Sequence, residues 1–214
     1  MSIVRYQNRR LRFDLQVIAS WIERGSRVLD LGCGEGELLH HLIEERGIVG
    51  TGIELNESKV ARCIEKGLSV LQGDINAEIF DYPDNIFDYV ILSQTLQQVY
   101  EPSKLIKEML KVGKSGIVSF PNFSQWVCRV QHMFTGRAPV TRQLPYTWYD
   151  TPNIRVMSIR DFRGFVKNAG LMIEKEAAIN THSQDRRGRI IRVLPNLRAT
   201  YGIYMIGHDI SGTD

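Results

Sequence analysis

Three glycines on alternate positions, Gly32, Gly34 and Gly36, follow the apolar run Val28-Leu29-Asp30-Leu31 and lead into Glu37-Leu38-Leu39. A short, β-branched, apolar run reads as a strand buried on both faces, and the leucines that follow recur at helical spacing. Glycines at such a junction let the chain turn sharply and let its backbone approach a ligand with no Cβ in the way. A strand that breaks through glycines straight into a helix belongs to an open, parallel α/β sheet. Ligands of that sheet sit at the carboxyl ends of its strands.

The charges around the turn narrow the ligand. In the dinucleotide pattern G-x-G-x-x-G, amides and the positive helix end hold a pyrophosphate. Here the spacing is G-x-G-x-G, and Glu37 stands where the third dinucleotide glycine would fall. Asp30, Glu35 and Glu37 together would repel a pyrophosphate. They suit a ligand that carries positive charge and no phosphate, and S-adenosylmethionine, with its sulfonium and ammonium, is such a ligand. The turn then supplies Asp30, Gly32, Cys33, Gly34 and Gly36 as candidate contacts.

Three further strand ends repeat the arrangement. The run 48–53 ends in Glu54-Leu55, and an acid at the end of a second strand is where ribose hydroxyls are held. The run 68–73 ends in Asp74-Ile75, an acceptor for an adenine amino group beside an apolar side chain for the ring face. The run 87–92 ends in Ser93-Gln94-Thr95. Any one of these is an ordinary turn residue; four in register make a site.

Helical spacing predicts helices over 11–24, with Gly25 as the stop, 36–46, a stretch after the N-cap residue Asn56, 102–111, and 158–169 from Ser158 to Gly170. Strands are predicted over 27–31, 48–54, 68–73, 87–92, 116–120, 171–178 and 199–207, the last returning antiparallel. The expected fold is α/β, a doubly wound, Rossmann-like, seven-stranded sheet, with residues 1–214 as one domain. Residues 121–157 interrupt the alternation. Between Pro121 and Pro152 they hold four of the seven prolines and two of the three tryptophans, which reads as a lid or partner-facing insert after strand five.

Composition excludes several classes. No apolar run reaches the roughly 18 residues of a membrane span and the first residues have no signal-peptide pattern, so a cytoplasmic protein is expected. Cys33, Cys63 and Cys128 show neither paired nor zinc-ligand spacing. A net charge of +3 does not argue for nucleic acid, although arginines cluster at 5–12 and at 186–192. Strand four also lacks the Pro-Pro-aromatic turn of base aminomethyltransferases.

Four segments carry a resemblance: Val28 to Leu39, then Val90-Ile91-Leu92-Ser93-Gln94-Thr95-Leu96-Gln97 and Ser119-Phe120-Pro121-Asn122-Phe123, and above all Leu144-Pro145-Tyr146-Thr147-Trp148-Tyr149-Asp150-Thr151-Pro152-Asn153-Ile154. From Arg12 to about Tyr204 the chain resembles the MetW family of methionine-biosynthesis proteins, a branch of the class I methyltransferase-like fold. The resemblance implies a link to homoserine O-acetyltransferase, as its partner or activator. The chain departs from the family pattern at Arg155, where histidine is usual, and at Ser124-Gln125, where Gly-His is usual. A shared catalytic base is not expected at either place. The alternative is an active small-molecule methyltransferase of unknown acceptor, with His132, Tyr146, Tyr149 and Asp150 as the groups to test near the strand ends.

Overall fold

The computed structural model describes residues 11–181 and 185–208. Arg5, Arg9 and Arg10 of the first arginine cluster lie outside the described residues. The elements run α1 (Phe13–Trp21), β1 (Arg27–Leu31), α2 (Glu37–Arg46), β2 (Val49–Glu54), α3 (Glu57–Glu65), β3 (Ser69–Gln72), α4 (Ile75–Glu78), β4 (Phe87–Ser93), α5 (Pro102–Val112) and β5 (Gly113–Pro121). After them come α6 (Trp126–Thr135), α7 (Ile159–Asn168), β6 (Leu171–Asn180), β7 (Arg189–Ile190), α8 (Pro195–Arg198) and β8 (Tyr201–His208). Among the described residues no helix is long and apolar enough to cross a membrane.

One sheet has the order β3-β2-β1-β4-β5-β8-β6-β7. The strands β3, β2, β1, β4 and β5 pair in parallel, and β8 runs antiparallel between β5 and β6. The antiparallel return expected of the last strand is therefore present. The strand count is eight instead of seven, because Arg189 and Ile190 pair with Asn180 and Ile179 and extend the edge. Two residues carry too little periodicity to announce a strand in sequence.

Neighbouring residues of each central strand face opposite sides of the sheet, and the core divides accordingly. Leu29, Leu31, Val90 and Val118 join one apolar cluster; Val28, Ile91 and Ile117 join the other. On the first side α7 is fixed by Phe162, whose ring lies 5.0 Å from Phe120 and 4.8 Å from Tyr204. Ser158 and Asp161 form a reciprocal capping box at its start, and Asn56 caps α3 through the amide of Lys59.

One expectation needs correction. The first helix ends at Trp21, short of Gly25, because Ile22 turns extended and buries its side chain in the core. Within the insert, the proline-free stretch between Pro121 and Pro139 folds as α6. The rest of the insert is tied to the loop after β4, where the amides of Ile154 and Arg155 both donate to the carbonyl of Gln97 at 3.0 Å.

Candidate functional site

Between β1 and β4 the strand order reverses, and the loops leaving their carboxyl ends diverge into a crevice. A cleft of about 1180 Å3 lies there. Asp30, Gly32, Cys33, Gly34, Glu54, Leu55, Asp74, Ile75, Ser93 and Gln94 all line it, so ten of the residues singled out in the sequence meet in one place. Gly36 does not line it. With φ at +73°, a Cβ there would lie 2.3 Å from Leu68 Cδ1 and 3.0 Å from Cys63 Sγ; this glycine seats α2 on α3.

The loop amides turn inward. Those of Gly32 and Cys33 donate to the carbonyl of Ile53 at 2.8 and 3.1 Å, and that of Gly36 donates to Cys33 at 3.0 Å. The amide of Gly34 donates to Glu54 Oε2 at 2.9 Å. An anion-binding turn needs such donors aimed at the ligand. Here four of them are engaged within the protein, and what faces the cleft is Gly34 itself. A Cβ on Gly34 would meet nothing within 4 Å, and its φ of +60° favours glycine.

Glu54 braces this loop through both carboxylate oxygens, since Oε1 also accepts the amide of Asn56 at 2.9 Å. Each oxygen keeps a second lone pair for a ligand hydroxyl. Asp30, at the end of β1, is buried and its carboxylate has no hydrogen-bond partner among the described residues. Burial, reinforced by the neighbouring charge of Glu54, pushes its pKa up to about 7. Asp74 caps α4: Oδ1 accepts from the amide and the side chain of Asn76 at 2.9 and 2.8 Å, and Oδ2 has no partner among the described residues.

Glu35 plays a different part from the one its sequence position implies. It is ion-paired with Arg62, while Asp30 and Glu54 are the two buried acids of the cleft. Cys33 is a packing residue whose thiol is pushed up by burial first and by Asp30 next. Its sulfur occupies the space that a Cβ on Gly52 would fill, at 2.6 Å.

At the β4 end, Gln94 has φ of +52°, an uncommon conformation for a residue with a side chain. Its amide donates to the Ser119 carbonyl at 2.9 Å and Oγ at 3.1 Å, and its carbonyl accepts from Gln97 Nε2 at 2.7 Å. The side chain of Gln94 donates to Asp14, which is also paired with Arg12 at 3.0 Å. Asp14 is a residue the sequence reading passed over; its signal was an acid on the apolar face of α1, where it is now buried. Arg12 lines the cleft, one of two basic residues there with Lys59. His132, Tyr146, Tyr149 and Asp150 are not among the cleft-lining residues.

The profile of the family described as methionine biosynthesis protein MetW matches residues 12–206. The chain belongs to the MetW family. A curated relative, the bifunctional methionine biosynthesis protein MetXA/MetW of Rhodopirellula baltica, is 34% identical over 175 residues. That match takes in 78% of this chain but 28% of the relative, so the chain spans under a third of that protein's length. A SAM-dependent methyltransferase from Thermotoga maritima superposes with a TM-score of 0.64 at 17% identity, covering 92% of this chain and 88% of that one. The [4+2]-cyclase SpnF does so at 0.64 and 18%, covering 95% and 86%. The fold is that of the class I methyltransferases, and a protein named as a cyclase shares it.

Proposed function

We propose that the chain binds S-adenosylmethionine in the β1–β4 cleft and acts in methionine biosynthesis together with homoserine O-acetyltransferase. The observation that carries the binding half is Asp30, a buried acid with no hydrogen-bond partner among the described residues, near Gly34, whose missing side chain leaves open space. A cation is what such an acid lacks. The residues fit the group: Asp30 faces its positive end, Glu54 accepts from its ribose, and Asp74 with Ile75 receives the adenine. Leu55, Gly32, Cys33, Gly34, Ser93 and Gln94 complete the wall. When bound, the group would supply an activated methyl, or a signal of methionine status.

The partner half is supported by the fused relative, whose printed name joins MetXA and MetW in one chain. It is further supported by the cleft lining, which includes none of the candidate acceptor-activating groups His132, Tyr146, Tyr149 and Asp150. Residues 121–157 then serve as a partner-facing segment. The test is the rate of homoserine O-acetyltransferase at high dilution with and without this chain, with S-adenosylmethionine titrated in. The reading expects stimulation by the chain and a response to the ligand. An acetyltransferase equally active alone would overturn it.

A further inference from the structure

The helix α6 is amphipathic in the wrong direction for a core helix. Of its ten residues only Cys128 is buried. Trp126, Val127, Val130, Met133 and Phe134 are exposed, Met133 and Phe134 at 70% and 77%. At 100° per residue these five lie on the side opposite Cys128. A contiguous apolar stripe of this kind marks an interaction site on a folded protein.

A second cavity, of about 480 Å3, adjoins the stripe. Arg129, Arg160, Arg163, Leu194 and Leu197 help to line it. Arg129 stands three residues after Trp126 and four before Met133, so it borders the stripe and the cavity at once. Two of the three guanidiniums are held in place. Arg129 donates to the carbonyl of Ser124 at 2.7 Å, and Arg163 pairs with Glu176 at 2.9 Å. Arg160 has no ion-pair partner among the described residues. Leu194 is exposed at φ +50°, a strained conformation secured by the amides of Leu197 and Arg198 on its carbonyl at 3.0 Å.

We infer that α6, the start of α7 and residues 193–197 form one docking face for an acidic partner protein. Its partner contributes an apolar centre to cover Met133 and Phe134 and a carboxylate to enter the arginine cavity. Charge decides between occupants. A second copy of this chain related by a two-fold axis would set arginines against arginines, which opposes self-pairing. A concave pocket suits one protruding carboxylate better than a flat lipid surface. The inference deepens the partnership proposed above and rests on it: the occupant is homoserine O-acetyltransferase.

The experiment is surface plasmon resonance of homoserine O-acetyltransferase over the immobilised full chain, for the wild type, M133S/F134S, R160E and the control V49S. Val49 is exposed at the opposite, amino-terminal end of a strand. The double variant should weaken binding about tenfold or more, R160E about fivefold with a shallower salt dependence, and V49S not at all. Retained S-adenosylmethionine binding establishes that the variants fold. Wild-type binding that both variants leave unchanged overturns the docking face and leaves the partnership standing. No binding by the wild type overturns both. A self-associated chain that M133S/F134S converts to monomer overturns the inference. So does wild-type binding to phosphatidylglycerol vesicles that the same variant abolishes.

Discussion

The β1–β4 cleft and the α6 face divide the chemistry of this chain between two opposite solutions. Around the cleft, polar groups are buried and turned on one another: loop amides onto Ile53, Cys33 and Glu54, Gln94 onto Asp14, Glu54 onto Asn56. Of the buried acids, Asp30 is left with no hydrogen-bond partner among the described residues. On the α6 face the apolar residues are the ones left over, and Arg129 borders them beside a cavity that Arg160 and Arg163 also line. A leftover acid in a concave site calls for a small cation; leftover apolar rings on a convex helix call for another protein surface. On the proposed function, the contrast would separate ligand recognition from partner recognition within one chain.

The largest expected effect falls on the cleft. Asp30→Asn should lower affinity for S-adenosylmethionine about 100-fold by calorimetry, the loss of a charge-assisted contact. The same change should stabilise the ligand-free chain. With the folded pKa raised to about 7, folded Asp30 holds more protons than unfolded Asp30 between its ordinary value of 3.8 and 7. Stability therefore falls as pH rises through that window, and above it the burial of charge costs a few kcal/mol, roughly. Thermal melts at pH 8 should put Asp30→Asn above the wild type. A lower melting temperature would mean that Asp30 is a structural acid, and the contrast between the two regions would lose its basis.

Two glycines sharpen the distinction between loop packing and loop function. Gly36→Ala meets Leu68 and Cys63 and should cost about 2–3 kcal/mol in chemical denaturation. Gly34→Ala meets nothing and should cost about 1 kcal/mol for its left-handed backbone, while ligand affinity falls about tenfold. Equal behaviour of the two variants would deny that Gly34 faces a ligand. Binding should also track pH: since a bound cation favours ionised Asp30, affinity should rise by up to about tenfold per unit below pH 7 and level off above it. The smallest effects fall outside both regions. Asp161→Ala removes half of the α7 capping box and should cost about 1 kcal/mol, with ligand affinity unchanged.

The two regions also differ in how far sequence reveals them. Asp30, Glu54, Asp74 and Ser93-Gln94 each end a strand or begin the turn that follows it, so reading strands along the chain finds them one by one. Asp14 escaped because it comes from α1, where an acid in the first turn reads as a helix-start residue. Of the second face, sequence offers only the insert 121–157 as a lid or partner-facing segment. Trp126 to Phe134, Ile159 to Arg163 and Val193 to Leu197 are separate segments, and only the fold brings Arg129, Arg160, Arg163 and Leu194 to one cavity. The insert was recognisable from its prolines and tryptophans, yet whether its rings pack inward or outward depends on which side Cys128 takes.

Calorimetric titration at pH 8 of the full chain with S-adenosylmethionine, and separately with NAD, tests the cleft most directly. Saturable one-site binding of S-adenosylmethionine and no heat with NAD is the result expected of inward-turned amides over an unpartnered acid. Binding of NAD to the same cleft, displaced by Gly34→Ala, would contradict it, and so would an absence of heat with S-adenosylmethionine.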